Sequence, residues 1–202
     1  MDCVLDVGAN SGIYGTELRL IGYDGLILSF EPDPDVFPAL KARAAGDGRW
    51  HAFDYALGSE AGDALFNVMN VSLFNSFRVP RSDETDRHAD ANSIKQQIVV
   101  PVRTLNDVLP DLMSRHGFRR PFLKMDTQGF DLEVFRGGNE VYPKIVGLQS
   151  EVAIRHIYEG SASWAESVQV YEQAGFELDA LFKVNAESRG LIEMDCYMLR
   201  QG

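Results

Sequence analysis

The stretch from Val4 to Gly12, VLDVGANSG, constrains this chain more than any other. An apolar run of strand length passes without a break into a turn with glycines at 8 and 12, and then into a segment of helical period. A strand that feeds a helix through a glycine turn opens a parallel strand-helix-strand unit. The first strand is expected over Cys3 to Val7. The helix behind it carries Tyr14, Leu18 and Ile21 on one face and stops at Gly22.

The alternation continues. Leu26 to Phe30 reads as the second strand; Asp35 is expected to cap a helix with Pro38 in its first turn, Val36, Phe37, Leu40 and Ala44 facing inward, and Gly46 ending it. Trp50 to Asp54 gives a third strand, followed by extended pieces at Ala64 to Met69 and Ile98 to Val102, a small β insertion. Between these pieces, residues 80–97 are rich in charge and hold one aliphatic side chain larger than alanine, Ile94. Such a stretch builds no core and is expected to be a mobile loop or lid. Thr104 with Asp107 forms a capping box ahead of Leu105, Val108, Leu109 and Leu112, and Gly117 closes that helix. Strands at Phe122 to Met125 and Ile145 to Leu148 flank a short helix ending near Gly137. Ser163 and Glu166 then cap a helix that turns Trp164, Val168, Tyr171 and Ala174 inward and stops at Gly175. Glu177 to Val184 and Met194 to Leu199 follow, joined by a polar turn too short for a helix, and should pair antiparallel. The fold class is therefore α/β, a three-layer, doubly wound, mostly parallel sheet with an antiparallel C-terminal strand.

With 202 residues and 45% hydrophobic composition, one domain over residues 1–202 accounts for the chain. A net charge of −11 repels polyphosphates and anionic surfaces, so neither nucleic acid nor a membrane is the expected partner, and a neutral or cationic acceptor fits better. Cys3 and Cys196 lie in apolar runs and should be free, buried thiols. No leader and no long apolar span is visible, which makes a cytoplasmic location the expectation.

The glycine spacing also separates cofactors. A nicotinamide fingerprint needs G-x-G-x-x-G. Here Asn10 takes the middle position and the glycines fall at 8, 12 and 15, which favours a ligand without a pyrophosphate. Gly8 and Gly12 let the backbone approach that ligand. Asp6 is placed to accept hydrogen bonds from the turn or from an amino group. Glu31, in Ser-Phe-Glu-Pro at the end of the second strand, sits where the doubly wound geometry puts a carboxylate against a ribose diol. Asp54, Ala56 and Leu57 are placed to line an adenine.

VLDVGANSG, Phe-Glu-Pro at 30–32, FLKMDTQGFDLEVFRGG at 122–138 and GLQSEVAIRHIYEG at 147–160, with the closing MDCYMLR, together resemble the FkbM family of S-adenosylmethionine (AdoMet)-dependent methyltransferases along nearly the whole chain. Asp131 stands where that family more often has glutamate. The resemblance implies a seven-stranded sheet with a reversed last strand, AdoMet across the carboxyl ends of the first strands, and O-methylation of a sugar, glycan or natural-product acceptor. Such domains commonly carry a helix ahead of the first strand, so the start at Met1 implies either a shortened chain or a second subunit, as in a homodimer, covering that edge.

Methyl transfer needs an acceptor oxygen held in line and a group to take its proton. Asp126, ending one strand, and Glu151, following the next, are both candidates, provided burial or like charge raises their proton affinity. Lys124, inside a central strand, should point into the crevice or pair with Asp126 or Glu151. His156 is a candidate base or acceptor contact. Magnesium at Asp126 and Glu151 would have only generic oxygen ligands, so no metal site is expected. A nicotinamide-dependent oxidoreductase and a non-catalytic AdoMet-binding subunit are the competing readings.

Overall fold

β1 (Cys3–Val7) is buried along its whole length, as a strand covered on both faces must be. The structure, a computed structural model, describes residues 1–81, 90–184 and 190–200. The glycine turn leads into α1 (Ile13–Leu20), then β2 (Leu26–Phe30), α2 (Phe37–Ala44) and β3 (Trp50–Phe53). A side sheet follows, made of β4 (Ala56–Leu57), β5 (Gly62–Met69) and β6 (Ile94–Arg103) in the order β4-β6-β5. The chain returns through α3 (Leu105–His116), β7 (Pro121–Met125), α4 (Asp131–Arg136), β8 (Gly147–Ala153), α5 (Trp164–Gln173), β9 (Phe176–Lys183) and β10 (Glu193–Arg200). The main sheet has the order β3-β2-β1-β7-β8-β10-β9, and β10 runs antiparallel to both its neighbours. The expected fold class, with its reversed last strand and small β insertion, is what the chain adopts.

Alternation along the strands divides the core in two. Val4, Ile27, Leu40, Trp50 and Leu18 pack under α1 and α2, while Leu5, Val7, Leu28, Phe30, Leu123, Leu148 and Phe135 pack against the α3, α4 and α5 side. On the first face, one register position is polar across four strands: Ser29 pairs with Asp6, Asp6 with Lys124, and Lys124 with Gln149. Cross-strand register decides that alignment, so no single run of sequence reveals it.

The N-cap half of each expected capping box forms. Thr104 and Ser163 accept from the Asp107 and Glu166 amides, and Gly117 closes α3 at positive φ. Four expectations need correcting. Ile21 is 81% exposed because α1 ends at Leu20, which turns residue 21 off the buried face. Trp164 is also exposed, as the first residue of α5. Asp35 does not cap α2: its own amide donates to the Asp33 carboxylate at 2.9 Å, and no side chain caps that helix. The polar stretch 80–97 is not loop throughout. Ile94 to Gln97 are strand, paired with β5, and the chain before it is pinned where the Arg81 amide donates to the Ile157 carbonyl at 2.9 Å. The remainder of the expected lid, residues 82–89, lies outside the described residues, as does 185–189 of the turn between β9 and β10. Cys3 and Cys196 are buried free thiols. Among the described residues no helix is long and apolar enough to cross a membrane.

Candidate active site

The sheet order reverses at β1, which has β2 on one side and β7 on the other, and ligands of open α/β sheets bind beyond the carboxyl ends of the strands at such a point. There a cleft of about 570 Å³ is lined by Gly8, Asn10, Phe30, Glu31, Ala56, Leu57, Phe66, Ser72, Leu73, Asn75, Phe77, Asp126, Thr127 and Gln128, among others. Its floor comes from the turns after β1, β2 and β7. Its roof is the 3₁₀ turn Ser72–Phe74 and the residues after it, from the insertion.

Glu31 is the buried carboxylate of this cleft. Its Oε2 accepts from the Asn10 amide at 2.8 Å and its Oε1 from the Asp33 amide at 2.9 Å. Burial raises its pKa to about 7 against the pull of those two bonds, with Asp33 and Asp6 adding to the rise. Each oxygen keeps a further lone pair, and among the described residues no ion pair is made by the group. That donor-poor carboxylate suits a pair of hydroxyls. Asn10 sits in the left-handed region at φ 47° and reaches up to the roof, its Nδ2 donating to the Ser72 carbonyl at 3.1 Å. Two more bonds brace the roof: Asn75 Nδ2 to Asp33 Oδ2 at 2.7 Å and Ser76 Oγ to the Gln128 carbonyl at 2.7 Å.

The structure reassigns several residues expected to touch the ligand. Asp6 is fully buried beneath the turn; its Oδ1 accepts from Lys124 Nζ at 3.0 Å and its Oδ2 from Ser29 Oγ at 3.0 Å, so it braces the sheet and does not line the cleft. Ser29 Oγ in turn accepts from Trp50 Nε1 at 3.0 Å. Gly12 serves packing: a Cβ there would meet Leu40 at 2.9 Å. Gly8 does line the cleft, but a Cβ would collide with the Asp126 carbonyl, so the close approach it permits is between two strand ends. Ala56 and Leu57 line the cleft as expected, whereas Asp54 points to solvent, one register step before the chain turns inward.

The remaining candidates divide. Lys124 pairs with Asp6 and lies 3.7 Å from Asp126 Oδ2. Burial disfavours its charge, yet Asp6 and Asp126 more than offset that and hold its pKa above the ordinary lysine value, so it is a fixed cation and no base. It also lies 4.9 Å from the Tyr14 ring centroid. His156 bonds within its own turn, Nδ1 to Ser161 Oγ at 3.3 Å, and lines neither cleft. Asp126 and Glu151 do come together, through a residue the sequence did not single out: Gln128 Nε2 lies 3.1 Å from Asp126 Oδ1 and 3.0 Å from Glu151 Oε2. Burial, and then Glu193, Asp126, Asp131 and Asp195, raise the Glu151 pKa well above the ordinary carboxylate value. Asp131 proves to be the anchor of this loop, accepting from the Thr127 amide and hydroxyl on one oxygen and from Ser150 Oγ and the Glu151 amide on the other.

Beyond Gln128 lies a second cleft of about 600 Å³. Arg78, Glu133, Glu151, Tyr158, Ser161 and Glu193 are among its lining residues. Burial pushes the Glu193 pKa up to about 7 as well. Among the described residues no group of three or more His, Cys, Asp or Glu side chains is arranged to hold a metal ion.

A doubly wound sheet with a reversed final strand, a glycine turn without the nicotinamide spacing and a buried glutamate after β2 define the class I methyltransferase architecture. The chain belongs to the family described as the methyltransferase FkbM domain, which it matches over residues 6–178. It is 26% identical over 196 residues to methyltransferase sdnD of Sordaria araneosa, an alignment covering 87% of this chain and 73% of that protein. Solved structures share the fold at lower identity. Magnesium protoporphyrin IX methyltransferase of Synechocystis PCC 6803, with bound SAM, matches with TM-score 0.54 and 10% identity over 98% of this chain and 69% of that one. The Aeropyrum pernix fibrillarin, with natively bound S-adenosyl-L-methionine, matches with TM-score 0.52 and 14% identity over 98% of this chain and 66% of that one. Family membership decides for a methyltransferase over an oxidoreductase, and AdoMet is the methyl donor of class I methyltransferases. The cleft residues fit it: Glu31 offers two oxygens to a diol, and Ala56, Leu57 and Phe66 offer an apolar surface to a base.

Proposed function

We propose that this protein transfers the methyl group of AdoMet to a hydroxyl oxygen of a sugar, glycan or other hydroxylated natural-product acceptor, with Glu151 as the general base. Glu31 holds the ribose hydroxyls, Ala56, Leu57 and Phe66 pack on the adenine, and Gly8, Asn10 and Asp126 receive the amino-acid end. The acceptor lies in the second cleft, whose polar lining suits a ligand rich in hydroxyls. The acceptor oxygen forms its bond to the methyl carbon as the carbon–sulfur bond breaks, and the hydroxyl proton passes to the Glu151 carboxylate while S-adenosylhomocysteine leaves.

One observation carries the choice of base. An ordinary carboxylate holds a proton too weakly to help an alcohol, and Glu151 is a carboxylate at the seam between the clefts whose proton affinity is raised by burial and by four acidic neighbours. Its partner Asp126 lines the donor cleft and lies 3.7 Å from the Lys124 ammonium.

The test is incubation with labelled AdoMet and a panel of glycan and natural-product acceptors. Glu151→Gln should bind AdoMet within a few-fold of wild type and lose transfer by about a hundredfold or more. Undiminished transfer by Glu151→Gln would remove the assignment. Tighter binding of NAD than of AdoMet would overturn the reading as a whole.

A further inference from the structure

Gln128 holds a conformation that glutamine seldom adopts. Its φ is 52°, in the left-handed region, and it is followed by Gly129 at φ 82°. Asn10 is the other non-glycine residue at positive φ among the described residues, and both line the first cleft. A side chain that crosses into αL without being glycine, asparagine or aspartate is worth explaining by what it reaches.

It reaches three groups. Nε2 has two hydrogens, and the two acceptors within reach are Asp126 Oδ1 at 3.1 Å, at the end of β7, and Glu151 Oε2 at 3.0 Å, on β8. Oε1 accepts from Tyr158 Oη at 2.9 Å. The orientation of the amide follows from chemistry, since the reverse would set its carbonyl oxygen against two carboxylates. The backbone is fixed too, its carbonyl accepting from Ser76 Oγ. Gln128 lines the donor cleft, while Glu151 and Tyr158 line the second.

We infer that Gln128 is a positioning residue: one amide group holds the Asp126 and Glu151 carboxylates side by side at the seam where the two clefts meet. The inference rests on the reading of Glu151 as base and adds how that base is kept in place. Two carboxylates on adjacent strand ends repel each other, and a neutral donor shared between them relieves this without a second cation. The other groups facing Glu151 are Glu193 and Asp195 on β10, Asp131 at the start of α4 and the Tyr158 hydroxyl. Lys124 is committed to Asp6. Among the described residues, the Gln128 amide is a side-chain hydrogen-bond donor to the Glu151 carboxyl.

The experiment needs neither an acceptor nor turnover. Glutamate carboxyl carbons are followed by ¹³C NMR against pH in the full chain saturated with S-adenosylhomocysteine. Gln128→Leu keeps side-chain bulk and removes the donor; it should raise the proton affinity of Glu151 by about tenfold or more. Tyr158→Phe removes only the hydroxyl that holds the amide's carbonyl and should move Glu151 in the same direction by less. Because it deletes one oxygen, Tyr158→Phe decides even if Gln128→Leu fails to fold. An unchanged Glu151 titration in the folded variants overturns the inference. Its failure is distinct from that of the base assignment, which is read from transfer by Glu151→Gln.

Discussion

The Lys124 ammonium and the Asp6 carboxylate meet at 3.0 Å on adjacent strands, both buried, directly beneath the turn that forms the cleft floor. Removing one partner strands the other charge in the core, whereas removing both leaves no uncompensated charge, only the Ser29 hydroxyl without its acceptor. Lys124→Met should cost about 3–5 kcal/mol in chemical denaturation. The double variant Asp6→Leu with Lys124→Met should recover a large part of that loss. A single variant costing under about 1 kcal/mol would show the pair to be solvated.

With Glu31 as the ribose contact, donor binding should depend on pH. Its folded-state pKa of about 7 lies above the ordinary carboxylate value, so the free protein gains stability from it at low pH and loses that gain as pH rises through about 7. Hydroxyls favour the ionised form as acceptor, so AdoMet affinity should rise with pH across the same window. Calorimetry from pH 5 to about 8 reads this directly. Glu31→Gln should flatten the profile and weaken binding, and a profile that stays steep in that variant would move the linkage to another group.

Gly8 and Gly22 separate two requirements that glycines often share. Both lie at positive φ, but nothing stands within 4 Å of a Cβ at Gly22, while one at Gly8 meets the Asp126 backbone. Gly22→Ala should cost about 1 kcal/mol, the left-handed penalty alone. Gly8→Ala must also part the ends of β1 and β7. Its loss in thermal stability should be several-fold larger and accompanied by loss of AdoMet binding; equal losses would show that the strand ends yield freely.

Thr104 tests whether the scaffold can be weakened without touching the site. Its hydroxyl caps α3 and lines neither cleft, accepting from the Asp107 amide at 3.1 Å. Thr104→Ala should cost about 1 kcal/mol in denaturation and leave AdoMet binding unchanged.

What could be read from the sequence, and what could not, follows from the range of the interactions. The strand, glycine turn and helix of 3–20, the two N-caps and the antiparallel pairing of β9 with β10 are local patterns, and they formed where the periodicity placed them. Glu31, Ala56 and Leu57 followed from strand ends in a known topology. The nearness of Lys124 to Asp126 was legible too, but the Asp6–Lys124 pair was not, because it depends on which strands become neighbours and in what register. Gln128 escaped notice for a related reason: its role requires an unusual backbone angle and partners on β7 and β8. Ser72, Asn75 and Phe66 belong to an insertion whose path over the cleft no propensity encodes. Asp54 failed because β3 ends at Phe53 and Asp54 lies exposed in the bend that follows, before the chain turns inward at Tyr55.

The roof turn is a mechanical brace. From Ser72 to Ser76 it bonds separately to Asn10 after β1, Asp33 after β2 and Gln128 after β7. A short insertion is thus a tripod whose feet stand on three different strand ends, and the spacing of those ends is cross-braced from above as well as by the sheet. One foot rests on the residue that accompanies Glu31 and another on the one that joins Asp126 to Glu151. Lengthening or trimming this turn would load three strand ends at once, so a change in the insertion is transmitted both to Glu31 and to the seam between Asp126 and Glu151.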